Sequence, residues 1–107
     1  MTIREISVDE LAERLADGAK LLDVRQPEEY VAGHVGGAQL IPLNEVPERM
    51  GELDVSGELL VICRTGARSL AACDFLVASG IDALNVAGGT LAWIDSGREV
   101  VEGESAT

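Results

Sequence analysis

The segment from Cys63 to Arg68, CRTGAR, combines one thiol with two arginines and has the types and spacing needed for nucleophilic chemistry. The preceding residues 58–62 (ELLVI) are typical of a buried strand, and residues 69–79 (SLAACDFLVAS) are typical of a helix packed on a sheet. Cys63 is therefore expected where a strand ends and a helix N-terminus begins. Unpaired N–H groups and the helix dipole stabilise an anion there. Because such surroundings lower a thiol pKa, we predict that Cys63 is a reactive nucleophile.

A purely structural interpretation of this segment makes Cys63 an inert, buried residue at a strand end, as many free cysteines are. The two arginines argue against that interpretation. The whole chain contains only eight Lys and Arg residues, and Arg64 and Arg68 both flank this one thiol. The functional interpretation explains their position better.

The rest of the chain predicts strands alternating with helices. Strands are predicted over residues 2–6, 20–24, 38–41, 58–62 and 83–87. Helices are predicted over 8–17 with a capping box at Ser7, from Pro27 to a stop at Gly33, over 44–50 with Asn44 as cap, over 69–79, and after a cap at Thr90.

Such alternation predicts an α/β fold with about five mostly parallel strands and helices on both faces. Ligands of such sheets bind at the carboxyl ends of the strands, where Asp23, Cys63 and Gly88 are expected. At 107 residues the chain is long enough for one core, so we predict a single domain over residues 1–100. Residues 101–107 (VEGESAT) are predicted to form a disordered tail.

Charge and cysteine content narrow the function further. The 19 acidic and 8 basic residues give a net charge of −11, which disfavours binding to nucleic acid or to anionic membranes. An anionic substrate is expected only at a local positive site, such as the Cys63 loop. No apolar stretch is long enough for a membrane span, and the cytoplasm is the expected location. Both cysteines are expected to be free thiols, with Cys73 in the core.

Three stretches together resemble the single-domain rhodaneses, a family of thiosulfate sulfurtransferase-like modules. They are DVRQPEEYVAGHVGGAQLIPL from Asp23, CRTGARS from Cys63, and VAGGTLAW from Val86. The resemblance implies the α/β fold around a five-stranded parallel sheet and a catalytic cysteine at Cys63. That cysteine would take a sulfane sulfur from thiosulfate or a persulfide donor, become a persulfide, and pass the sulfur to cyanide, a thiol or a sulfur-accepting protein. It implies neither a cofactor nor a metal.

The residue types of this loop suit that chemistry. Its N–H groups can point inward and hold a persulfide anion on Cys63, so the persulfide-stabilising set comprises Arg64, Thr65, Gly66, Ala67, Arg68 and Ser69. Arg64 and Arg68 would also orient an oxyanion donor and stabilise the departing sulfite.

Four residues outside the loop are interpreted as supporting or structural. Asp23 and Arg25 are expected to brace neighbouring backbone near the loop. His34, the only histidine, is interpreted as structural, and Trp93 as a core residue.

Three other functions are compatible with parts of this sequence. A related cysteine phosphatase or arsenate reductase places five residues between its cysteine and arginine, whereas Cys63 and Arg68 enclose four and Ile62 replaces the common histidine. The shorter loop suits a terminal sulfur better than tetrahedral phosphate. An inactive regulatory domain of this family usually lacks the cysteine. A persulfide carrier that serves a partner protein remains open, because the sequence does not distinguish it from an enzyme that uses small acceptors.

Overall fold

The computed structural model describes residues 2–107 and contains one five-stranded parallel sheet. The order of the strands across the sheet is β1-β5-β4-β2-β3. This arrangement places β4, which leads to Cys63, at the centre of the sheet. The strands are β1 (Glu5–Ile6), β2 (Lys20–Asp23), β3 (Gln39–Leu40), β4 (Leu59–Ile62) and β5 (Ala83–Val86).

Helices follow every strand, as the alternating pattern predicts, and the predicted α/β fold with a parallel sheet is confirmed. The α-helices are α1 (Val8–Ala16), α2 (Pro27–Ala32), α3 (Val46–Arg49), α4 (Ala67–Ala78) and α5 (Gly89–Asp95). Short 3-10 turns, Leu43–Glu45 and Met50–Glu52, flank α3. Within residues 2–107 no helix has both the length and the apolar character that a membrane span requires.

Two predicted helix caps are wrong, and one is right. The Ser7 side chain accepts a hydrogen bond from the Glu10 N–H at 3.1 Å and so caps α1. Asn44 instead lies inside the 3-10 turn before α3, and its side chain caps nothing. Thr90 lies inside α5, whose N-cap is Gly88. Short polar residues are compatible with a cap and with other local roles, so sequence position alone does not separate the two.

The core lies on both faces of the sheet, because neighbouring strand residues point to opposite faces. On one face, Val61 and Cys63 pack in a cluster with Cys73 and Leu76 of α4. On the other face, Leu60 and Ile62 pack in a cluster with Leu11, Tyr30 and Trp93, from α1, α2 and α5 respectively. Burial on both faces explains why β4 is a continuous apolar run, and it fixes the position of the loop that follows.

The C-terminal residues 101–107, for which the composition predicts disorder, make backbone hydrogen bonds to α2 and to the segment after it. Val101 and His34 exchange backbone hydrogen bonds of 2.9 and 2.7 Å, and the Gly103 N–H donates to the Val31 carbonyl at 2.9 Å. The small, polar residues of the tail provide little apolar surface, so its placement rests on main-chain pairing with a distant segment. Neither composition nor local periodicity predicts such pairing.

His34 connects this tail to α2. It is fully buried, its ring stacks on Tyr30 with 3.6 Å between the centroids, and its Nδ1 lies 2.8 Å from the Tyr30 carbonyl oxygen. Its Nε2 lies 2.8 Å from the carbonyl oxygen of Ser105. His34 therefore joins α2 to the tail through both ring nitrogens.

We predict that His34→Ala destabilises the protein by about 2–4 kcal/mol, because it removes the ring contacts with two carbonyl oxygens and leaves a cavity. The tail should be released first. Urea unfolding measures the stability, and hydrogen exchange measures protection of the Val101 and Gly103 amides. Unchanged protection of these two amides in the variant would contradict the role of His34 in holding the tail.

Candidate active site

Cys63 lies directly after β4 and before α4, with its side chain almost completely buried. The Gly66 N–H donates to Sγ of Cys63 over 3.1 Å, and the Ser69 hydroxyl donates to it over 3.3 Å. Gly66 is the N-cap of α4 and has φ +113°, a conformation that glycine adopts readily. The chain therefore curls around the sulfur of Cys63 within one turn.

The electrostatics of this turn favour the thiolate. Burial would by itself raise the pKa of the Cys63 thiol, but hydrogen bonds from the Ser69 hydroxyl and from the N–H groups of Ser69, Gly66 and Thr65 outweigh it. The net effect lowers the pKa of Cys63 below its ordinary value. Main-chain and hydroxyl donors thus provide most of the stabilisation of a sulfur anion.

The carbonyl groups of the loop are held by the start of α5. The Cys63 carbonyl accepts hydrogen bonds from the N–H and the hydroxyl of Thr90, at 2.9 and 3.0 Å, and the Arg64 carbonyl accepts one from the Leu91 N–H at 3.1 Å. In a trans peptide the C=O and N–H groups point in opposite directions. The N–H groups of Arg64 and Thr65 are therefore turned away from α5.

Gly89 makes this contact possible. A Cβ atom at Gly89 would lie 2.6 Å from the carbonyl oxygens of both Cys63 and Arg64, and its φ is +59°. No other residue type allows α5 to approach the loop so closely. The paired glycines after β5 thus have a packing role at the site.

Asp23 and Arg25 form a buried ion pair beside the loop. Arg25 Nη2 donates to the Asp23 carboxylate at 2.8 Å and to the Gly33 carbonyl at 2.9 Å, and the Arg25 N–H donates to Asp23 Oδ1 at 3.1 Å. The two charges satisfy each other and the end of α2. This geometry is what a structural brace requires.

Arg68 has a different environment from the one that the sequence suggests. Its guanidinium donates two hydrogen bonds, of 2.7 and 2.9 Å, to the carboxylate of Glu29 on α2. The bond from Arg68 is the main reason that the pKa of Glu29 falls to about 2. Glu29 therefore stays ionised until the pH falls towards that value, and at neutral pH the charge of Arg68 is compensated.

Arg64 differs from the other basic residues because it has no carboxylate partner in the part of the chain that the structure describes. Among residues 2–107, seven of the eight Lys and Arg side chains lie within 4.0 Å of a carboxylate oxygen, and Arg64 does not. It is exposed and adjoins Cys63. The uncompensated positive charge of this acidic protein is thus found next to its candidate nucleophile.

Two cavities differ in their relation to Cys63. A groove of about 250 Å³ adjoins the loop and α5, and its lining includes Arg25, Glu29, Arg64, Thr90, Leu91 and Ile94. A larger cavity of about 530 Å³ is lined by Arg14, Lys20 and Glu58, near the amino ends of β2 and β4. Since Cys63 follows the carboxyl end of β4, only the smaller groove lies near it.

Cys73 is fully buried on α4 in the cluster that also contains Cys63. Burial is the largest cause that raises the pKa of the Cys73 thiol to about 12, and the negative charge of Asp74 adds to it. Neither cysteine is in a disulfide. The Cys73 side chain has the environment of a small hydrophobic group.

Sequence reasoning missed three residues that shape this site: Thr90, Glu29 and Asn85. Thr90 follows two glycines at the carboxyl end of a buried strand. This position could have predicted its contact with the Cys63 loop. Glu29 gave no sign that it would pair with an arginine 39 positions away. Asn85 is a polar residue inside a buried strand, a placement that calls for a hydrogen-bonding partner.

Comparisons with known proteins agree with one another. A family model described as a rhodanese-like domain matches residues 7–96. The chain is 36% identical to a sulfurtransferase of Allochromatium vinosum, covering 95% of this chain and 98% of that protein. It is 31% identical to thiosulfate sulfurtransferase GlpE of Pseudomonas entomophila, covering 96% and 92%. A solved rhodanese-related protein from Thermoplasma volcanium superposes with a TM-score of 0.86 at 36% identity, covering 92% and 97%.

We predict that iodoacetamide alkylates Cys63 and spares Cys73 at neutral pH, because the pKa of Cys63 is lowered and that of Cys73 is raised. The alkylation rate at Cys63 should rise as the pH passes through the pKa of this thiol. It should become constant at a pH below the ordinary pKa of a thiol. Peptide mass spectrometry across a pH series measures both rates. Equal labelling of the two thiols in the folded protein would contradict this description.

Proposed function

Because this chain belongs to the rhodanese-like domain family, as its three motifs predict, we propose that it is a sulfurtransferase that works through a persulfide on Cys63. The observation that carries the proposal is the set of donors around Sγ. A buried thiol surrounded by N–H groups and a hydroxyl is suited to forming an anion and to holding the terminal sulfur of a persulfide.

The proposed reaction has two steps. The Cys63 thiolate attacks the sulfane sulfur of thiosulfate, the S–S bond of the donor breaks, and sulfite leaves with the bonding electron pair. A nucleophile, either cyanide or a thiolate, then attacks the terminal sulfur and releases the Cys63 thiolate again. The loop stabilises negative charge on sulfur before and after each transfer, so it need not rearrange during the cycle.

We assign recognition of an anionic donor to Arg64. The Arg64 guanidinium has no carboxylate partner among residues 2–107, whereas the Arg68 guanidinium forms an ion pair with the Glu29 carboxylate. Arg68 would then set the position of α2 against the loop and contribute less to binding of thiosulfate. In this proposal Arg64 binds the anionic donor and Arg68 positions α2, whereas the sequence predicts donor binding for both arginines.

The two free cysteines suit a reducing compartment, and the cytoplasm is the proposed location. The acceptor in this proposal is any thiophilic nucleophile that reaches the persulfide. A partner protein that accepts sulfur would use the same Cys63 intermediate, and it would differ only in what binds beside the loop.

We expect thiosulfate to add the mass of one sulfur atom to Cys63 and cyanide to remove that sulfur as thiocyanate. Mass spectrometry of the intact protein and of the peptide that contains Cys63 measures both. Cys73→Ala is the matched control and should form the same adduct with little loss of activity, whereas Cys63→Ala should form none. A folded Cys73→Ala variant without the adduct would instead indicate a relay between the two thiols.

We also expect Arg64→Gln to lower kcat/KM for thiosulfate roughly 10- to 100-fold, the size expected for loss of a hydrogen bond to a charged group. A persulfide donor without the sulfonate charge should lose much less. Arg68→Gln is the matched comparison, and it should affect both donors to a similar degree because it disturbs the pairing with Glu29. Steady-state kinetics with both donors measure the difference. A loss confined to thiosulfate in Arg68→Gln, with Arg64→Gln unaffected, would reverse the assignment.

A further inference from the structure

Asn85 is a buried amide on β5 that contacts the active-site loop from behind. It is 1% exposed, and its Nδ2 donates to the Gly66 carbonyl at 3.1 Å and to the Glu5 carboxylate at 2.7 Å. Glu5 lies directly across from it in the β1–β5 register. The chain of contacts therefore runs from the edge strand β1 through β5 to the N-cap of α4.

The orientation of the Asn85 amide is fixed by these partners. Both are hydrogen-bond acceptors, so Nδ2 has to face them, and a flipped amide would point its oxygen at a carbonyl and a carboxylate. In the correct orientation Oδ1 is buried and has no partner among residues 2–107. The two hydrogen bonds that Nδ2 donates, to Glu5 and to Gly66, are ones that an apolar side chain would not make.

Gly66 is held on both sides by this arrangement. Its N–H points to Sγ of Cys63, while its carbonyl accepts from Asn85 and from the Leu70 N–H at 3.2 Å. Glycine has few intrinsic restraints on its dihedral angles, so its orientation depends on such contacts. Holding the carbonyl also fixes the peptide plane that Gly66 shares with Ala67, whose N–H then points away from Asn85.

We propose that Asn85, anchored by Glu5, is a positioning residue that restrains Gly66 through its carbonyl, so that the Gly66 N–H faces the sulfur of Cys63. The hydrogen bonds of Asn85 go to Gly66 and Glu5 and not to that sulfur, so Asn85 acts through Gly66. The expected effect of Asn85 on sulfur transfer rests on the proposed function. Its expected effect on the ionisation of the Cys63 thiol is independent of that function.

The decisive variant is Asn85→Leu, which keeps the side-chain size and removes the Nδ2 donor. We expect the pH midpoint of Cys63 alkylation to rise by about half a unit or more, because Gly66 loses a restraint on its carbonyl and its N–H is then less well directed towards the sulfur. Persulfide formation from thiosulfate should slow roughly 10-fold or more. Arg68 and Cys73, whose charges interact with that of Cys63, are the same in both proteins, so they do not cause the shift.

Two further variants separate positioning from general destabilisation. Leu84→Val alters the neighbouring, buried position of β5, whose side chain points to the other face of the sheet. It should lower the urea midpoint and leave the alkylation midpoint unchanged. Glu5→Ala removes the anchor from the exposed end and should shift alkylation in the same direction as Asn85→Leu but less, and Glu5→Gln, which keeps an acceptor oxygen, should restore the natural value.

A folded Asn85→Leu protein with the natural alkylation midpoint would overturn the inference, and so would an equal shift in Leu84→Val. If Asn85→Leu fails to fold, Glu5→Ala decides in its place, and an unchanged midpoint there overturns the anchored relay. Because alkylation needs no sulfur donor, a shifted midpoint in a protein that forms no persulfide would contradict the proposed function and still support the role of Asn85.

Discussion

A negatively charged sulfur inside a protein of net charge −11 needs hydrogen-bond donors close to it, and the loop after β4 provides them. Two of these donors lie within 3.3 Å of Cys63 Sγ, and one of the two is a main-chain N–H. Main-chain donors add no charge and are fixed by the fold, so they need little reorganisation when the sulfur becomes an anion. The structure around the loop directs these donors towards the sulfur of Cys63.

That direction comes from the outward contacts of the loop carbonyls. Thr90 and Leu91 hold the carbonyls of Cys63 and Arg64, and Asn85 holds that of Gly66. Each contact comes from β5, which is the neighbour of β4 in the parallel sheet, or from α5, which follows β5. The topology therefore matters chemically, because it brings the carboxyl end of β5 beside the carboxyl end of β4.

Much of this could be predicted from the sequence. Apolar runs at strand length defined β2, β4 and β5 to within a residue or two, and the position of Cys63 after one of them followed directly. The roles of Thr90 and Arg68 did not follow, because each depends on a partner far away in the chain. The placement of the C-terminal residues rests likewise on the pairing of Val101 with His34, which the composition of these residues does not indicate.

The central claim is that the loop donors surround sulfur carried by Cys63. A crystal structure of the protein after treatment with thiosulfate, with sulfur located by anomalous scattering, tests it most directly. The account predicts a second sulfur bonded to Cys63 Sγ, lying within hydrogen-bond distance of N–H groups between Arg64 and Ser69. A treated crystal with no second sulfur, or with one that points away from these groups, would contradict the account.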